Sequence, residues 1–170
     1  MRVRWVGEGV HAIAVCLMLS APLAAQKKPE VIPEVTEVVT DHLRMRYDPR
    51  VATAADGSIS LAVEIVPRPR MHVYAPGKHE YRVITMKVSE PKGIQTRPIE
   101  YPPAEIYHFE PLDERIPVYQ KPFTLKMGAR IDAAGGRPPL KVTGQLDYQA
   151  CDDQVCFAPV SVPLTWTVTR

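Results

Sequence analysis

The chain has 170 residues, of which 24% are charged, and a formal net charge of +2. That length fits one domain, or one domain with a processed end. With 21 basic and 19 acidic residues and no basic run, the sequence lacks the footprint of a nucleic-acid binder or of a protein held on an anionic membrane surface.

Residues 1–25 have the layout of a secretory signal peptide. Arg2 and Arg4 give a positive start, Ala12 to Leu19 an apolar run and Ser20 to Ala25 a small-residue exit, with cleavage expected after Ala25. Glu8 is the one residue out of keeping. The run is far shorter than the ~20 apolar residues of a membrane-spanning helix. Cys16 lies inside it behind Val15, which is too large to precede a lipid-anchor cysteine, so Cys16 is expected to leave with the signal. The remainder carries 19 basic and 18 acidic residues and two cysteines, Cys151 and Cys156. Export places that pair in an oxidising compartment, where close cysteines normally join. Residues 26–35 follow as a polar, proline-bearing tether, and residues 36–170 as the folded domain.

Beyond the tether the apolar period is two. Ile59, Leu61, Val63 and Ile65 share one face against Ser58, Ser60 and Glu64, directly after the turn signal Asp56-Gly57. Further stripes are Ile84, Met86 and Val88; Phe123, Leu125, Met127, Ala129 and Ile131; Leu140, Val142, Leu146 and Tyr148; and Val162, Leu164, Trp166 and Val168. Weaker strands are expected at Val35 to Tyr47, Met71 to Ala75 and Ile94 to Tyr101. Eighteen prolines and nine glycines punctuate the chain and exclude long helices and central-strand interiors where the prolines fall. Seven to nine short alternating strands predict an all-β fold, an antiparallel immunoglobulin-like β-sandwich. Tyr101 to Tyr119 shows little alternation and reads either as a functional cover loop or as an irregular crossing between sheets.

The chemistry concentrates near the C-terminus. Cys151 is expected to end the strand from Leu140, Cys156 to begin the strand to Val168, and Asp152 to Val155 to form the hairpin tip between them. Opposed residues on antiparallel strands have Cα atoms about 4.5–5.5 Å apart, within disulfide reach. Parity conflicts, since Cys151 falls on the face opposite Leu146 and Tyr148, whereas Cys156 matches Val162 and Trp166. A bulge near Ala150 or at Ala158-Pro159 would reconcile the two. A loop this short contributes only about 2 kcal/mol as a staple, against nearly 5 for a 100-residue loop. Spacing alone leaves a redox pair, a structural disulfide and a metal site open. Asp152 and Asp153 disfavour a thiolate, which suits a restrained relay more than an aggressive oxidant, or else they only shape the turn. His72, His79 and His108 are scattered, so no tetrahedral metal set is expected, and each reads as a surface or hydrogen-bonding residue. Nothing in the sequence calls for a cofactor. An immunoglobulin-like adaptor with a purely structural disulfide is the principal rival reading, and a metal-handling protein the second.

Tyr148-Gln149-Ala150-Cys151, two aspartates, then Cys156 and Pro159 resemble the cysteine hairpin of the N-terminal periplasmic domain family of the thiol:disulfide interchange protein DsbD. Met71-His72-Val73-Tyr74-Ala75-Pro76-Gly77 is similar to that family's His-x-Tyr-x-Pro-Gly segment, and Tyr101-Pro102-Pro103 lies in the expected order between them. The resemblance spans about residues 36 to 168. It implies an immunoglobulin-like fold whose cysteine pair shuttles electrons. A membrane-embedded thiol electron transporter and a thioredoxin-like protein would reduce the pair, and a periplasmic disulfide isomerase or cytochrome-maturation protein would receive the electrons. It also implies an aromatic cap over the disulfide, placed at Tyr107 to Pro111 with Phe109 as the lid, and Tyr74 beside the cysteines. Tyr148, Asp152 and Asp153 are expected as supporting residues. Four residues separate the cysteines here, where some members have five. Since the chain stops at Arg170, the membrane and thioredoxin-like components are expected on separate proteins.

Overall fold

The period-two stripes become strands in a computed structural model, which describes residues 34–89, 93–132 and 137–169. The expected signal with Cys16, and the tether as far as Pro33, lie outside the described residues. The first half of the fold contains β1 (Thr36–Val39), β2 (Leu43–Tyr47), β3 (Arg50–Ala52), β4 (Ser58–Pro67), β5 (His72–Tyr74), β6 (Thr85–Val88) and β7 (Ile94–Glu100). The second contains β8 (Glu105–Phe109), β9 (Glu114–Tyr119), β10 (Phe123–Ile131), β11 (Leu140–Tyr148), β12 (Ala150–Cys151) and β13 (Val160–Thr169). A 3₁₀ turn, Glu110–Leu112, separates β8 from β9.

Three sheets result, ordered β1-β2-β4-β10-β7, β3-β13-β11-β6 and β12-β5-β9-β8. The first two form the sandwich. In the first sheet the two cleanest stripes lie side by side, with Phe123 opposite Ile65, Leu125 opposite Val63, Met127 opposite Leu61 and Ala129 opposite Ile59. In the second, Leu146 faces Val162 and Val142 faces Trp166. Leu61, Val63, Ile65, Leu125, Val142, Leu146 and Trp166 are fully buried in one cluster, each of the aliphatic ones worth about 1.5–3 kcal/mol relative to exposure. The Asp56-Gly57 turn forms as expected. Gly57 has φ +80°, and a Cβ there would lie 2.8 Å from the Ile131 carbonyl oxygen, so glycine is required on both counts.

The fold departs from the sequence expectation in four places. Val35 to Tyr47 is two strands, because the Thr40 hydroxyl folds the chain back by bonding the Leu43 N–H and carbonyl, each at 3.0 Å. Within Tyr101 to Tyr119 only residues 101–104 are irregular, and the rest is the β8–β9 hairpin, with Tyr107 opposite Ile116. β3 pairs with β13 in parallel, Val51 opposite Val168, within an otherwise antiparallel arrangement of strands. Three prolines do sit inside strands, Pro98 in the edge strand β7, Pro117 in β9 and Pro163 in β13, and Pro67 ends β4. Among the described residues β3 pairs with β13 only from Thr167 onward, so Pro98 and Pro163 each sit beside an unpaired edge, where proline is tolerated, whereas Pro117 lies in β9, between β5 and β8.

The third sheet positions the cysteines. β11 ends at Tyr148, the chain breaks at Gln149, and Ala150 and Cys151 pair with Val73 and His72 of β5. The parity conflict therefore resolves by a change of sheet and not by a bulge. Tyr148 and Cys151 belong to different ladders, and residues 157–159 form a second break before β13 starts.

Candidate functional site

The hairpin tip is built by backbone and by one carboxylate. Asp152 N–H donates to the Val155 carbonyl and Phe157 N–H to the Ala150 carbonyl, both at 2.9 Å. The Asp152 carboxylate accepts from the N–H groups of Gln154 and Val155, each at 2.8 Å, an Asx turn that fixes the reversal. These bonds from Val155 and Gln154 hold its carboxyl below the usual range. Across the neck, Cys151 and Cys156 form a disulfide with Cα atoms 4.0 Å apart. The two sulfurs live in different surroundings, since Cys151 is 1% exposed while Cys156 is exposed.

Aromatic side chains from neighbouring strands close around the buried sulfur. Tyr74, Ile116, Val118 and Cys151 form a small apolar cluster of their own, with Tyr81, Tyr107 and Phe109 packed against it. The depression they leave, of about 80 Å³, is much smaller than the roughly 300–1,000 Å³ of small-molecule pockets. Its shape suits a docking protein surface more than a metabolite. Tyr74 brings its hydroxyl to 3.5 Å from Cys156 Sγ and stacks on Tyr81, with centroids 4.4 Å apart and planes 14° from parallel. The Tyr81 hydroxyl donates to the Glu114 carboxylate at 2.6 Å. Tyr107 lies over His72, centroids 4.8 Å apart, and its hydroxyl donates to Asp153 at 3.2 Å. Burial, reinforced by Tyr81, Tyr107 and Glu114, pushes the Tyr74 hydroxyl up to about 12. Burial lowers the His72 imidazole, against an upward pull from Asp153 and Asp152.

Of the residues anticipated from sequence, Cys151, Cys156, Asp152 and Phe109 meet at this depression with Tyr74, and Asp153 reaches it through Tyr107. Tyr148 does not. It is fully buried in the main core, where its hydroxyl and that of Thr40 are 2.8 Å apart, and it is not among the residues lining the depression. His72 was expected at the surface or in a hydrogen bond, but it is 2% exposed and lies directly opposite Cys151. His79 and His108 do take hydrogen-bonding roles, to the Ala75 carbonyl at 2.8 Å and Asp113 at 2.7 Å. Sequence reasoning missed Tyr81, and it had Tyr107 only as the first residue of the expected cap segment, not as a partner of His72. The available signal was the Met71–Gly77 segment, whose alternate positions 72 and 74 share a side of β5.

The family profile described as thiol:disulfide interchange protein DsbD, N-terminal, matches residues 46–163. No curated protein sequence matches the chain. Among solved structures, the N-terminal periplasmic domain of ScsB from Proteus mirabilis is similar with a TM-score of 0.61 and 12% identity, over 79% of this chain and 50% of that one. This chain therefore spans half the length of that relative, and the likeness is one of fold. The reduced DsbD n-terminal domain of Neisseria meningitidis gives a TM-score of 0.44 at 19% identity, covering 69% of this chain and 81% of that one.

Proposed function

The chain belongs to the DsbD N-terminal domain family, and we propose that it is an exported relay domain that passes reducing equivalents between thiol proteins through Cys151 and Cys156. The observation that carries this reading is the asymmetry of the disulfide, one cysteine exposed and its mate buried. An incoming thiolate reaches Cys156 Sγ, the sulfur–sulfur bond breaks, and its electron pair leaves on Cys151 Sγ. The donor's second thiolate then attacks the donor sulfur of the mixed disulfide. The donor leaves oxidised, and both cysteines here are reduced. Discharge runs the same steps in reverse: Cys156 attacks the acceptor's disulfide, and Cys151 resolves the intermediate.

The donor in this reading is a membrane-embedded thiol electron transporter or a thioredoxin-like protein, and the acceptor a periplasmic disulfide isomerase or cytochrome-maturation protein. Residues 1–25 act as a cleaved export signal, residues 26–35 as a tether and residues 36–170 as the working domain. Phe109 and the turn after it shield the sulfurs until a partner docks. Tyr74 supports the Cys156 thiolate. Asp152 and Asp153 restrain thiol reactivity, Asp152 also fixing the tip. Tyr148 supports the site only indirectly, by anchoring the strand from which the hairpin departs.

A redox titration tests the relay. A midpoint above about −300 mV is expected, and a lower value, typical of inert structural disulfides, would refute it. Cys151→Ser should leave Cys156 able to trap a partner as a stable mixed disulfide, which can be isolated and identified.

A further inference from the structure

Apart from tyrosines and the disulfide, two ionisable residues are buried among the described residues, His72 and Asp147. Asp147 has its partners in place, with hydrogen bonds from Lys87, Gln145 and Ser161. His72 sits among rings, Tyr107 from β8 and Tyr74 from its own strand. It is the cross-strand partner of Cys151. Directly opposed residues of antiparallel strands share one face, with Cβ atoms about 4.5–5.5 Å apart, and both side chains line the same depression. The carboxylates of Asp152 and Asp153 act on His72 from the hairpin tip, and Arg70 acts on Asp152. Nothing in the relay mechanism above uses this imidazole.

The chemistry of the buried sulfur calls for it. When a thiolate attacks Cys156, the electron pair is left on a sulfur that is 1% exposed. An ionised group in such surroundings is strongly disfavoured unless a proton or a cation meets it. Tyr74 and Tyr107, both pushed above the ordinary tyrosine range, stay neutral near neutral pH and carry no positive charge to balance a thiolate. An imidazole changes charge in the working range, and burial favours the neutral form of this one while the disulfide is closed. We propose that His72 is the proton acceptor coupled to Cys151, taking up one proton from water as the Cys151 thiolate forms and holding an imidazolium–thiolate pair. When the disulfide closes again, Cys151 gives up its electron pair to the new bond and His72 returns its proton to water. Asp152 and Asp153 then have a second part, since the charges that oppose a thiolate also favour the imidazolium. The inference rests on the relay mechanism for the order in which the sulfurs react.

The test follows the two sulfurs separately. The reduced protein is mixed in stopped flow with an excess of an aromatic disulfide, dithiobis(nitrobenzoate). The first aryl thiolate marks attack by Cys156, and the second marks closure by Cys151. Rates are recorded from about pH 5 to 9 for the wild type, His72→Gln and His72→Phe. An imidazolium partner lowers a thiol pKa by a unit or more, about tenfold in thiolate at a fixed pH below it. The second phase should therefore slow about tenfold near pH 6.5 in both variants and its midpoint should rise, with the first phase unchanged. Coincident second-phase profiles in wild type and variants would overturn the proposal. His72→Phe keeps a ring on Tyr107 and His72→Gln keeps a polar group, so either folded variant decides. A structural role for His72 would alter stability without moving the midpoint of the pH profile. Refutation of the relay by a low potential would leave the second-phase profile readable, because a phosphine reduces the pair whatever its potential.

Discussion

Replacing Tyr74 by phenylalanine removes a single oxygen from beside Cys156 and leaves the ring stacked on Tyr81. In the disulfide the sulfur carries no proton, so at 3.5 Å the hydroxyl is the donor. Burial and the neighbouring Tyr81, Tyr107 and Glu114 push that hydroxyl up to about 12, so it remains a donor across the whole range in which thiols ionise. After reduction it faces a thiolate in place of a disulfide sulfur. Hydrogen bonds to charged groups contribute about 1.5–3 kcal/mol, but Cys156 is exposed and water competes for it, so about 1 kcal/mol is the working figure. At 1.36 kcal/mol per pKa unit this predicts a rise of about 0.7 unit in the Cys156 thiol and roughly fivefold slower reaction near neutral pH. The assay is alkylation by iodoacetamide as a function of pH, in a Cys151→Ser background so that one thiol reports. An unchanged or lower thiol pKa in Tyr74→Phe would show that the hydroxyl does not support the thiolate.

Phe109→Ala opens one wall of the depression and is expected to speed alkylation of the reduced pair severalfold; unchanged kinetics would remove the lid. The double variant Cys151→Ser, Cys156→Ser should still fold and lose no more than about 2 kcal/mol in urea, because the closed loop is so short and the main core lies elsewhere. A loss beyond about 4 kcal/mol would mark the disulfide as a staple. Asp147 is disfavoured by burial, yet hydrogen bonds from Lys87, Ser161 and Gln145 outweigh this and hold it down to about 2, against an ordinary 3.8. A depressed carboxyl contributes stability that is present above the unfolded value and lost as pH falls through the folded one. Asp147→Asn should therefore cost about 2 kcal/mol at pH 7, with the two urea midpoints converging as pH falls from about 4 towards 2.

The sandwich was legible wherever one face of a strand is wholly buried and the other is not. Ile59 to Ile65 and Phe123 to Ile131 announced themselves as stripes, and the register brings them together residue by residue. β8 was not legible because its burial alternates only between intermediate and exposed, so hydrophobicity has nothing to track. β3 is three residues long and owes its place to β13, far along the chain. At the site, chemistry made the cysteines visible, whereas His72 is functional in our reading only because of the residue across from it. Tyr81 and Tyr107 join the site by stacking, and stacking leaves no period in a sequence. The parity count failed at Gln149 for a related reason, since alternation holds within one ladder and the chain changes ladders there.

That change of ladder has a consequence for how the protein diversifies. In the relay reading the side chains that would meet a partner gather in a small cluster around Tyr74, Ile116 and Val118, and those that keep the domain folded lie in another. Selection for a new partner is free to rewrite Tyr81, Tyr107 or Phe109 while β4, β10, β11 and β13 keep their apolar stripes. The working face and the frame that carries it share one chain but not one core, so either can change without repacking the other.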